Sequence, residues 1–167
     1  AYLIGIPIGV VLYITSDDGF FPNRPINSIL GVIVNIIRSV PFIIALVMLQ
    51  PVAKAVVGSR IGDTAFIFYL VIASAPFVAR MIESSLREVD RGVIEAAQAM
   101  GSTTWQIIRK VLIPEAKPSL IINGCISIVT ILGYSAMAGT IGGGGLGMIA
   151  ISYGYQRFNN EIVWLCV

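Results

Sequence analysis

Apolar stretches alternate with short polar turns along the whole chain, and several of these stretches have the length of a membrane helix. The first ends near Thr15, the second covers about residues 26–50, the third residues 64–80 and the fourth residues 118–138. A bilayer core of about 30 Å requires roughly 20 mainly apolar residues in a helix. The pattern therefore predicts membrane helices here, with a further helix beginning after Asn160.

The second apolar stretch contains a charge and a proline. At 1.5 Å per residue it would be roughly 37 Å long, so part of it should tilt or lie at the membrane surface. Pro41 should kink the helix because proline lacks a backbone donor and clashes with the preceding turn. Arg38 is costly in a bilayer unless it reaches the surface or faces the bundle interior. An interfacial role and a role beside a transport path both stay open for it.

A polar segment over about residues 80–117 separates the third and fourth apolar stretches. Within it, apolar residues recur at helical spacing in two short groups, which are Val93, Ile94, Ala97 and Met100, and then Ile107, Ile108, Val111 and Leu112. Gly101 lies between the groups, where a helix often ends in positive φ. Ser102 is placed to cap the second helix and Pro114 to end it. We predict a helix, a sharp turn and a second helix at the membrane surface.

Composition supports a membrane protein. The chain is 56% hydrophobic and 12% charged, with a mean hydropathy of +0.88, outside the range of soluble domains. Its net charge of +2 gives no indication of a nucleic-acid partner. Both termini fall inside apolar stretches, so we expect the first and last helices to be incomplete. We predict that residues 1–167 form one transmembrane domain, an all-α polytopic bundle with about five membrane helices.

The distribution of Lys and Arg predicts the orientation. Three of them fall on the side opposite the long polar segment if the helices alternate, Lys54, Arg60 and Arg157. The other eight fall on the side of that segment, and they are Arg24, Arg38, Arg80, Arg87, Arg91, Arg109, Lys110 and Lys117. Short loops rich in Lys and Arg stay in the cytoplasm. We therefore predict that residues 80–117 are cytoplasmic.

Several kinds of chemistry are excluded or disfavoured. The chain has no histidine, which removes His-based general bases, catalytic triads and His-containing zinc sites. Cys125 and Cys166 lie in apolar runs and are interpreted as small hydrophobic residues. The glycine run at residues 142–147 lacks the strand, the acidic residue and the Lys-Ser/Thr of nucleotide-binding loops. We assign no catalytic residue, no metal site and no cofactor to this chain.

The polar segment also carries a motif. An E-A-A triplet is followed by a glycine six residues after its glutamate and by a proline thirteen residues after that glycine, the residues concerned being Glu95, Ala96, Ala97, Met100, Gly101, Ile113 and Pro114. This arrangement resembles the cytoplasmic loop of ABC-importer permeases, on which an ATPase subunit docks. We call residues 90–114 the coupling loop. The alternative is an amphipathic hairpin that lies on lipid.

Three further segments, residues 38–44, 75–80 and 133–139, are similar to the permease subunits of methionine-uptake ABC importers, small members of the type I importer fold. The resemblance implies a homodimer in the bacterial inner membrane, two cytoplasmic ATPase subunits that bind ATP and Mg, and an external methionine-binding protein. It implies an ATP-driven importer of D- or L-methionine working by alternating access, and no enzyme activity on this chain.

Two groups of residues are candidates for the transport route. Soft apolar surfaces with a few hydroxyl groups suit a zwitterionic thioether, and the candidates for the translocation path are Arg38, Ser39, Pro41, Tyr134, Ser135 and Met137. The resemblance implies that the glycine run lies near the outer gate, so the candidates for an outer gate loop are Gly142, Gly143, Gly144 and Gly145, with a plain flexible linker as the alternative. Two other functions stay open: a type I permease for another amino acid or compatible solute, and an ion-driven secondary transporter. The second is disfavoured because we find no internal repeat and no carboxylate deep in a helix.

Overall fold

A computed structural model describes residues 1–166, and all the regular structure in this part of the chain is helical. The predicted all-α class is confirmed. The α-helices are α1 (Tyr2–Ile14), α2 (Arg24–Ser39), α3 (Phe42–Met48), α4 (Gln50–Val57), α5 (Asp63–Arg87), α6 (Arg91–Ala99), α7 (Thr104–Ile107), α8 (Ile113–Ser135), α9 (Leu146–Ile149) and α10 (Asn160–Leu165). Two π-helical segments follow α7 (Ile108–Leu112) and α9 (Ala150–Tyr155), and a 3₁₀ segment follows α8 (Ala136–Ile141).

Two helical stretches in residues 1–166 are long and apolar enough to cross a membrane. They are α5, with 25 residues, and the continuous stretch Thr104–Ile141, with 38 residues. A third candidate exists if α2 and α3 are taken together as one broken span. Helix α1 and the stretch Leu146–Tyr155 are apolar but shorter.

The second apolar stretch is interrupted twice rather than kinked once. Helix α2 ends at Ser39, and α3 starts only at Phe42, after an extended Pro41 with φ −55° and ψ 136°. Proline disfavours helical geometry in the residue before it, so Val40 leaves the helix together with Pro41. The prediction of one kinked helix over residues 26–50 is therefore wrong, and three helices occupy the region.

The third helix is longer than predicted. Helix α5 passes Pro76 and continues beyond Arg80 to Arg87. In its last turns Glu83 forms ion pairs with Arg80, three residues earlier, and with Arg87, four residues later. These spacings place charged side chains on one helix face, where they stabilise the helix. The charges that suggested a loop are thus part of the helix.

Pro114 does not end a helix, which corrects a second prediction. The helical stretch that begins at Thr104 continues through the π-helical segment into α8, where Pro114 is the second residue. At the end of that segment the Ile113 N–H bonds the Ile108 carbonyl, five residues earlier. A π turn just before a proline accommodates the missing donor and the bulk of the ring.

The chain forms two compact units. Unit 1 comprises residues 1–38 and 75–127, and unit 2 comprises residues 39–74 and 128–166. The core of unit 1 consists of Tyr13, Leu86, Ile94, Ala97, Ile107, Leu112 and Ala116. The core of unit 2 consists of Phe42, Leu46, Ala53, Ala65, Phe66, Tyr69 and Ala138.

Two glycines bring α1 and α5 close together in unit 1. A Cβ at Gly5 would lie 2.7 Å from the Cβ of Val78, and a Cβ at Gly9 would lie 2.8 Å from the Cβ of Ile82. Real side chains do not approach so closely, so these positions require glycine. The spacing of four residues places both glycines on one face of α1, as in other close helix pairs of membrane proteins.

Candidate functional site

The coupling loop starts with a capped helix. The Asp90 carboxylate accepts a hydrogen bond of 2.6 Å from the backbone N–H of Gly92 while the Asp90 backbone is extended. This is the geometry of an N-cap, which satisfies one of the free donors at a helix start. Helix α6 then runs from Arg91 to Ala99 and caps at Met100.

The turn after α6 is built on Gly101. Its φ is +80°, in the left-handed region that favours glycine. The Gly101 N–H bonds the Gln98 carbonyl at 2.9 Å, and the Ser102 N–H bonds the Ala97 carbonyl at 3.1 Å. Together these two bonds form a Schellman motif, which ends a helix sharply. The predicted helix end at Gly101, with positive φ, is confirmed.

The second helix is capped by Thr103, whereas Ser102 was predicted. The Thr103 hydroxyl accepts from the Gln106 N–H, and the Gln106 side chain accepts from the Thr103 N–H at 2.8 Å. A capping box requires a Glu or Gln three residues after the N-cap, and Gln106 is that residue for Thr103. Ser102 is instead used as the last residue of the Schellman turn. The hairpin is therefore held by backbone hydrogen bonds before Gly101 and by side-chain caps after it.

Only part of the predicted apolar face of α6 is buried. Ile94 and Ala97 pack in the core of unit 1 together with Ile107 and Leu112. Val93 and Met100 are exposed, Met100 to 79%. The predicted shared face is thus wrong for these two residues, because the helix turns its Ile94–Ala97 side toward α7 and the π-helical segment.

The motif residues divide between the packed and the free side. Ala97 is buried, whereas Glu95, Ala96, Met100 and Gly101 are exposed. Ile113 and Pro114 are also exposed, at the start of α8. The structure therefore exposes four residues of the motif, Glu95, Ala96, Met100 and Gly101, on the side of α6 and its turn that faces away from the core of unit 1.

Sequence reasoning missed two residues of this region. Trp105 follows directly after the start of α7 and is 69% exposed. Its signal in the sequence is a single large aromatic residue flanked by Thr104 and Gln106, away from the apolar repeat.

The second missed residue is Arg91, the first residue of α6, which forms an ion pair with Asp18 in the turn after α1. This pair places the α1–α2 turn at the same end of unit 1 as the coupling loop.

Of the candidate path residues, Arg38 lies in unit 1 and the other five lie in unit 2. The Arg38 guanidinium carbon lies 5.9 Å from the centre of the Phe77 ring. Arg38 thus lies beside the middle of α5. Arg24 and Arg38 are at opposite ends of α2. The prediction that Arg38 lies on the side of the long polar segment is therefore wrong. Ser39 is the last residue of α2, and Pro41 occupies the break that follows.

Tyr134 packs within unit 2. Its ring stacks on Phe42 with centroids 4.8 Å apart and planes 12° apart. Ser135 donates its hydroxyl hydrogen to the Leu132 carbonyl at 2.6 Å, and Met137 is exposed in the 3₁₀ segment. Of these three candidates, Met137 is exposed, and Tyr134 and Ser135 are half-buried.

The glycine loop is held to the start of α5. Gly142 and Gly145 have φ of +74° and +96°, Gly143 is buried, and the Gly144 N–H bonds the Asp63 carboxylate at 2.9 Å. The loop borders an open cavity of about 790 Å³ whose apolar wall includes Phe66 and Leu146. Residues 142–145 thus form an attached turn, whereas a free linker would have no such contacts. Within residues 1–166, no three His, Cys, Asp or Glu residues are grouped so that they could hold a metal ion.

Comparison with known proteins gives a consistent result. The family described as binding-protein-dependent transport system inner membrane component matches residues 5–167. Over 166 residues the chain is 52% identical to a probable D-methionine transport system permease protein of Vibrio cholerae, covering 99% of this chain and 74% of that protein. Over 155 residues it is 45% identical to the methionine import system permease protein of Bacillus subtilis, covering 93% and 70% of the two chains.

The fold is similar to a solved structure as well. A chain of the MetNI methionine ABC transporter, determined in inward-facing conformations, superposes with a TM-score of 0.89 at 45% sequence identity. The match covers 98% of this chain and 78% of that chain.

Proposed function

The chain belongs to the family of binding-protein-dependent transport system inner membrane components, and we propose from this premise how it couples ATP hydrolysis to methionine import. It is a permease subunit of an ABC importer, and ATP hydrolysis takes place on a separate subunit. Its substrate is methionine, as in the named relatives from Vibrio cholerae and Bacillus subtilis.

The working assembly contains a second copy of this chain, two ATPase subunits and an external methionine-binding protein, in the inner membrane. The coupling loop, residues 90–114, faces the cytoplasm. Seven of the eleven Lys and Arg residues support this orientation once Arg38 is set aside, against three on the other side. The ion pair between Asp18 and Arg91 adds support, because it joins the Arg24 end of α2 to that same side.

One observation carries the coupling proposal. Helix α6 is exposed at Glu95 and Ala96, and so is its C-cap Met100. Ile94 and Ala97 pack in one core with Ile107 and Leu112. The last two residues belong to the continuous stretch Thr104–Ile141, which is long enough to span the membrane. A partner that binds the exposed side of α6 therefore transmits its movement to a membrane helix through these packed side chains.

The transport cycle follows from two arrangements of this loop. When the two ATPase subunits bind ATP and close, they draw the paired α6 helices together, and the membrane helices turn outward to receive methionine. Hydrolysis returns the inward-facing state. Nucleotide shifts this equilibrium only because the ATPase holds α6 differently in the two states.

The test uses the full-length permease reconstituted in liposomes with its ATPase and binding protein. Labelled methionine uptake is measured with and without ATP for the wild type, Gly101→Asp and Gly58→Asp. Gly58 is a matched control, since it has φ +78° against +80° for Gly101, and an added Cβ would meet no atom within 4 Å at either glycine. Both variants carry the same backbone strain and the same new charge.

We expect ATP-dependent uptake in the wild type and in Gly58→Asp, and a loss of uptake in Gly101→Asp while the permease is still folded. Equal losses in both variants would show that strain is responsible and would reject the coupling role. ATP-dependent uptake of another amino acid alone would reject methionine. Uptake driven by an ion gradient without the ATPase would reject the function altogether.

A further inference from the structure

Helix α2 packs against unit 1 through a side on which buried Val34 stands beside groups that form polar contacts. Its apolar residues Ile29, Val32, Ile33 and Ile36 are all exposed. On the other side, the Asn27 amide donates to the Leu12 carbonyl at 2.6 Å, and Gly31 and Asn35 accept hydrogen bonds from Arg80 at 3.2 and 3.0 Å. Since lipid covers apolar surface at no cost, the polar contacts on the inward side of α2 require a specific reason.

Arg38 is exposed and lies in the last turn of α2, beside α5. Its guanidinium lies over the ring of Phe77. Phe77 is fourteen residues from the Asp63 end of α5 and ten residues from the Arg87 end, which corresponds to about 21 Å and 15 Å along the axis. The shorter distance equals half of a bilayer core of about 30 Å, and the longer one exceeds it. Arg38 is thus a charge within the length of a membrane span, about one turn from Arg80.

No carboxylate of the described chain neutralises Arg38. The four ion pairs in residues 1–166 are Asp17–Arg24, Asp18–Arg91 and the two that Glu83 forms with Arg80 and Arg87. The Phe77 ring attracts the guanidinium but cannot accept its planar fork of N–H donors. An ionised side chain at this depth is expensive and is typical of a residue that faces a polar pathway.

A second donor on the same polar side also lacks an acceptor. The Nε of Arg80 is buried and has no hydrogen-bond partner, although the two terminal nitrogens of Arg80 are bonded to Glu83, Gly31 and Asn35. Asn35 lies one turn before Arg38 on α2, and Arg80 lies one turn after Phe77 on α5. At two neighbouring turns of the contact between α2 and α5, an arginine therefore has an N–H donor without an acceptor. An anion is the ligand that supplies an acceptor.

We propose that Arg38 binds the α-carboxylate of the amino acid in transit, with the ring of Phe77 beside it to contact the thioether. A guanidinium binds a carboxylate through two parallel N–H···O bonds, and a thioether sulfur packs favourably at the edge of an aromatic ring. This inference rests on the proposed function, because it identifies where the transported zwitterion meets the permease. It deepens that function by naming the charge that recognises the carboxylate.

The experiment measures methionine molecules imported per ATP hydrolysed in the same proteoliposomes, with the full-length permease, its ATPase and its binding protein. The variants are Arg38→Gln and Arg38→Lys. The control is Arg157→Gln, because the Arg157 guanidinium also lies over an aromatic ring, 4.7 Å from the centre of Tyr153, in the chain between α9 and α10.

We expect Arg38→Gln to lower the ratio about 10- to 100-fold, the range for a lost hydrogen bond to a charged group, while ATP hydrolysis stimulated by the loaded binding protein continues. Arg38→Lys should lose about three- to tenfold, since it keeps the charge without the fork. Arg157→Gln should keep the wild-type ratio. If Arg38→Gln does not assemble, Arg38→Lys alone tests the proposal. If the charge of residue 38 has only a structural role, Arg38→Lys should import as many methionine molecules per ATP as the wild type.

The outcomes separate the two proposals. A wild-type ratio in Arg38→Gln or Arg38→Lys, together with normal wild-type import, would overturn the carboxylate site and leave the importer function intact. Absence of ATP-dependent methionine import in the wild type would overturn both.

Discussion

Asp18 and Arg91 form an ion pair with 2.7 Å between Oδ1 and Nη1. The pair joins the turn after α1 to the first residue of α6, so the coupling loop is attached to α1 as well as to the stretch that becomes α8. The two side chains are 55% and 65% exposed, and water screens a pair of this kind strongly. Its role is to set the position of α6 more than to stabilise the fold.

The first prediction concerns this pair. In a double-mutant cycle with Asp18→Asn and Arg91→Gln, the coupling energy for unfolding in detergent should be below about 1 kcal/mol and should fall as salt is added. Thermal unfolding of the four proteins at low and high salt measures it. A coupling energy of about 3 kcal/mol, insensitive to salt, would contradict the expectation and indicate a buried pair.

The second prediction concerns Glu83. Its side chain is 5% exposed, and it accepts from Arg80 at 2.6 Å and from Arg87 at 3.0 and 3.1 Å. Glu83→Gln removes the only negative charge of this group and leaves two arginines to repel each other, so it should destabilise the protein by about 3–5 kcal/mol. The measurement is the thermal midpoint of the purified permease.

Asp17→Asn is the control for Glu83→Gln. Asp17 pairs with Arg24 at 2.9 Å, but both side chains are mainly exposed, so the substitution should change stability by less than about 1 kcal/mol. Similar losses in the two variants would show that burial does not decide the strength of these pairs.

Local signals allowed part of the structure to be predicted from the sequence. The turn at Gly101 was predictable because a glycine directly after an amphipathic repeat is a frequent helix end. The membrane character was predictable because it depends only on composition and on the length of apolar runs. Both features are set by neighbouring residues and require no knowledge of the tertiary packing.

Other features depend on packing partners far along the chain. The charged residues Arg80, Glu83 and Arg87 suggest a loop in the sequence, but in the structure they form ion pairs with each other. Arg80 also donates hydrogen bonds to Gly31 and Asn35 of α2. Exposure of Trp105 and burial of Ile107 depend on which side of α7 meets the core of unit 1. Periodicity identifies an apolar face but does not identify its partner.

The third prediction concerns the contact between α1 and α5. Gly9→Ala would place a Cβ against the carbonyl oxygen of Ala79 and 2.8 Å from the Cβ of Ile82, so the helices must separate. The expected loss is about 1–3 kcal/mol, typical of overpacking. Gly124→Ala in α8 is the control, because an added Cβ there meets nothing within 4 Å and alanine favours a helix. Thermal unfolding compares the two, and an equal or smaller loss in Gly9→Ala would show that α1 can move away at no cost.

The last prediction concerns the glycine loop. The Asp63 carboxylate accepts the Gly144 N–H at 2.9 Å, and one residue earlier the Gly62 N–H donates to the Ile141 carbonyl at 3.1 Å. Asp63→Ala removes the first of these bonds, so the loop should open more often and residues 142–145 should exchange their amide hydrogens about 3- to 10-fold faster, as expected for a lost bond of about 1 kcal/mol. Asp63→Asn keeps a carbonyl oxygen as acceptor and should retain most of the protection. Hydrogen exchange followed by mass spectrometry on peptides of this loop makes the comparison. Unchanged exchange in Asp63→Ala would mean that close packing, such as that of Gly143 against Ala138, holds the loop without Asp63. The loop would then open only together with the 3₁₀ segment.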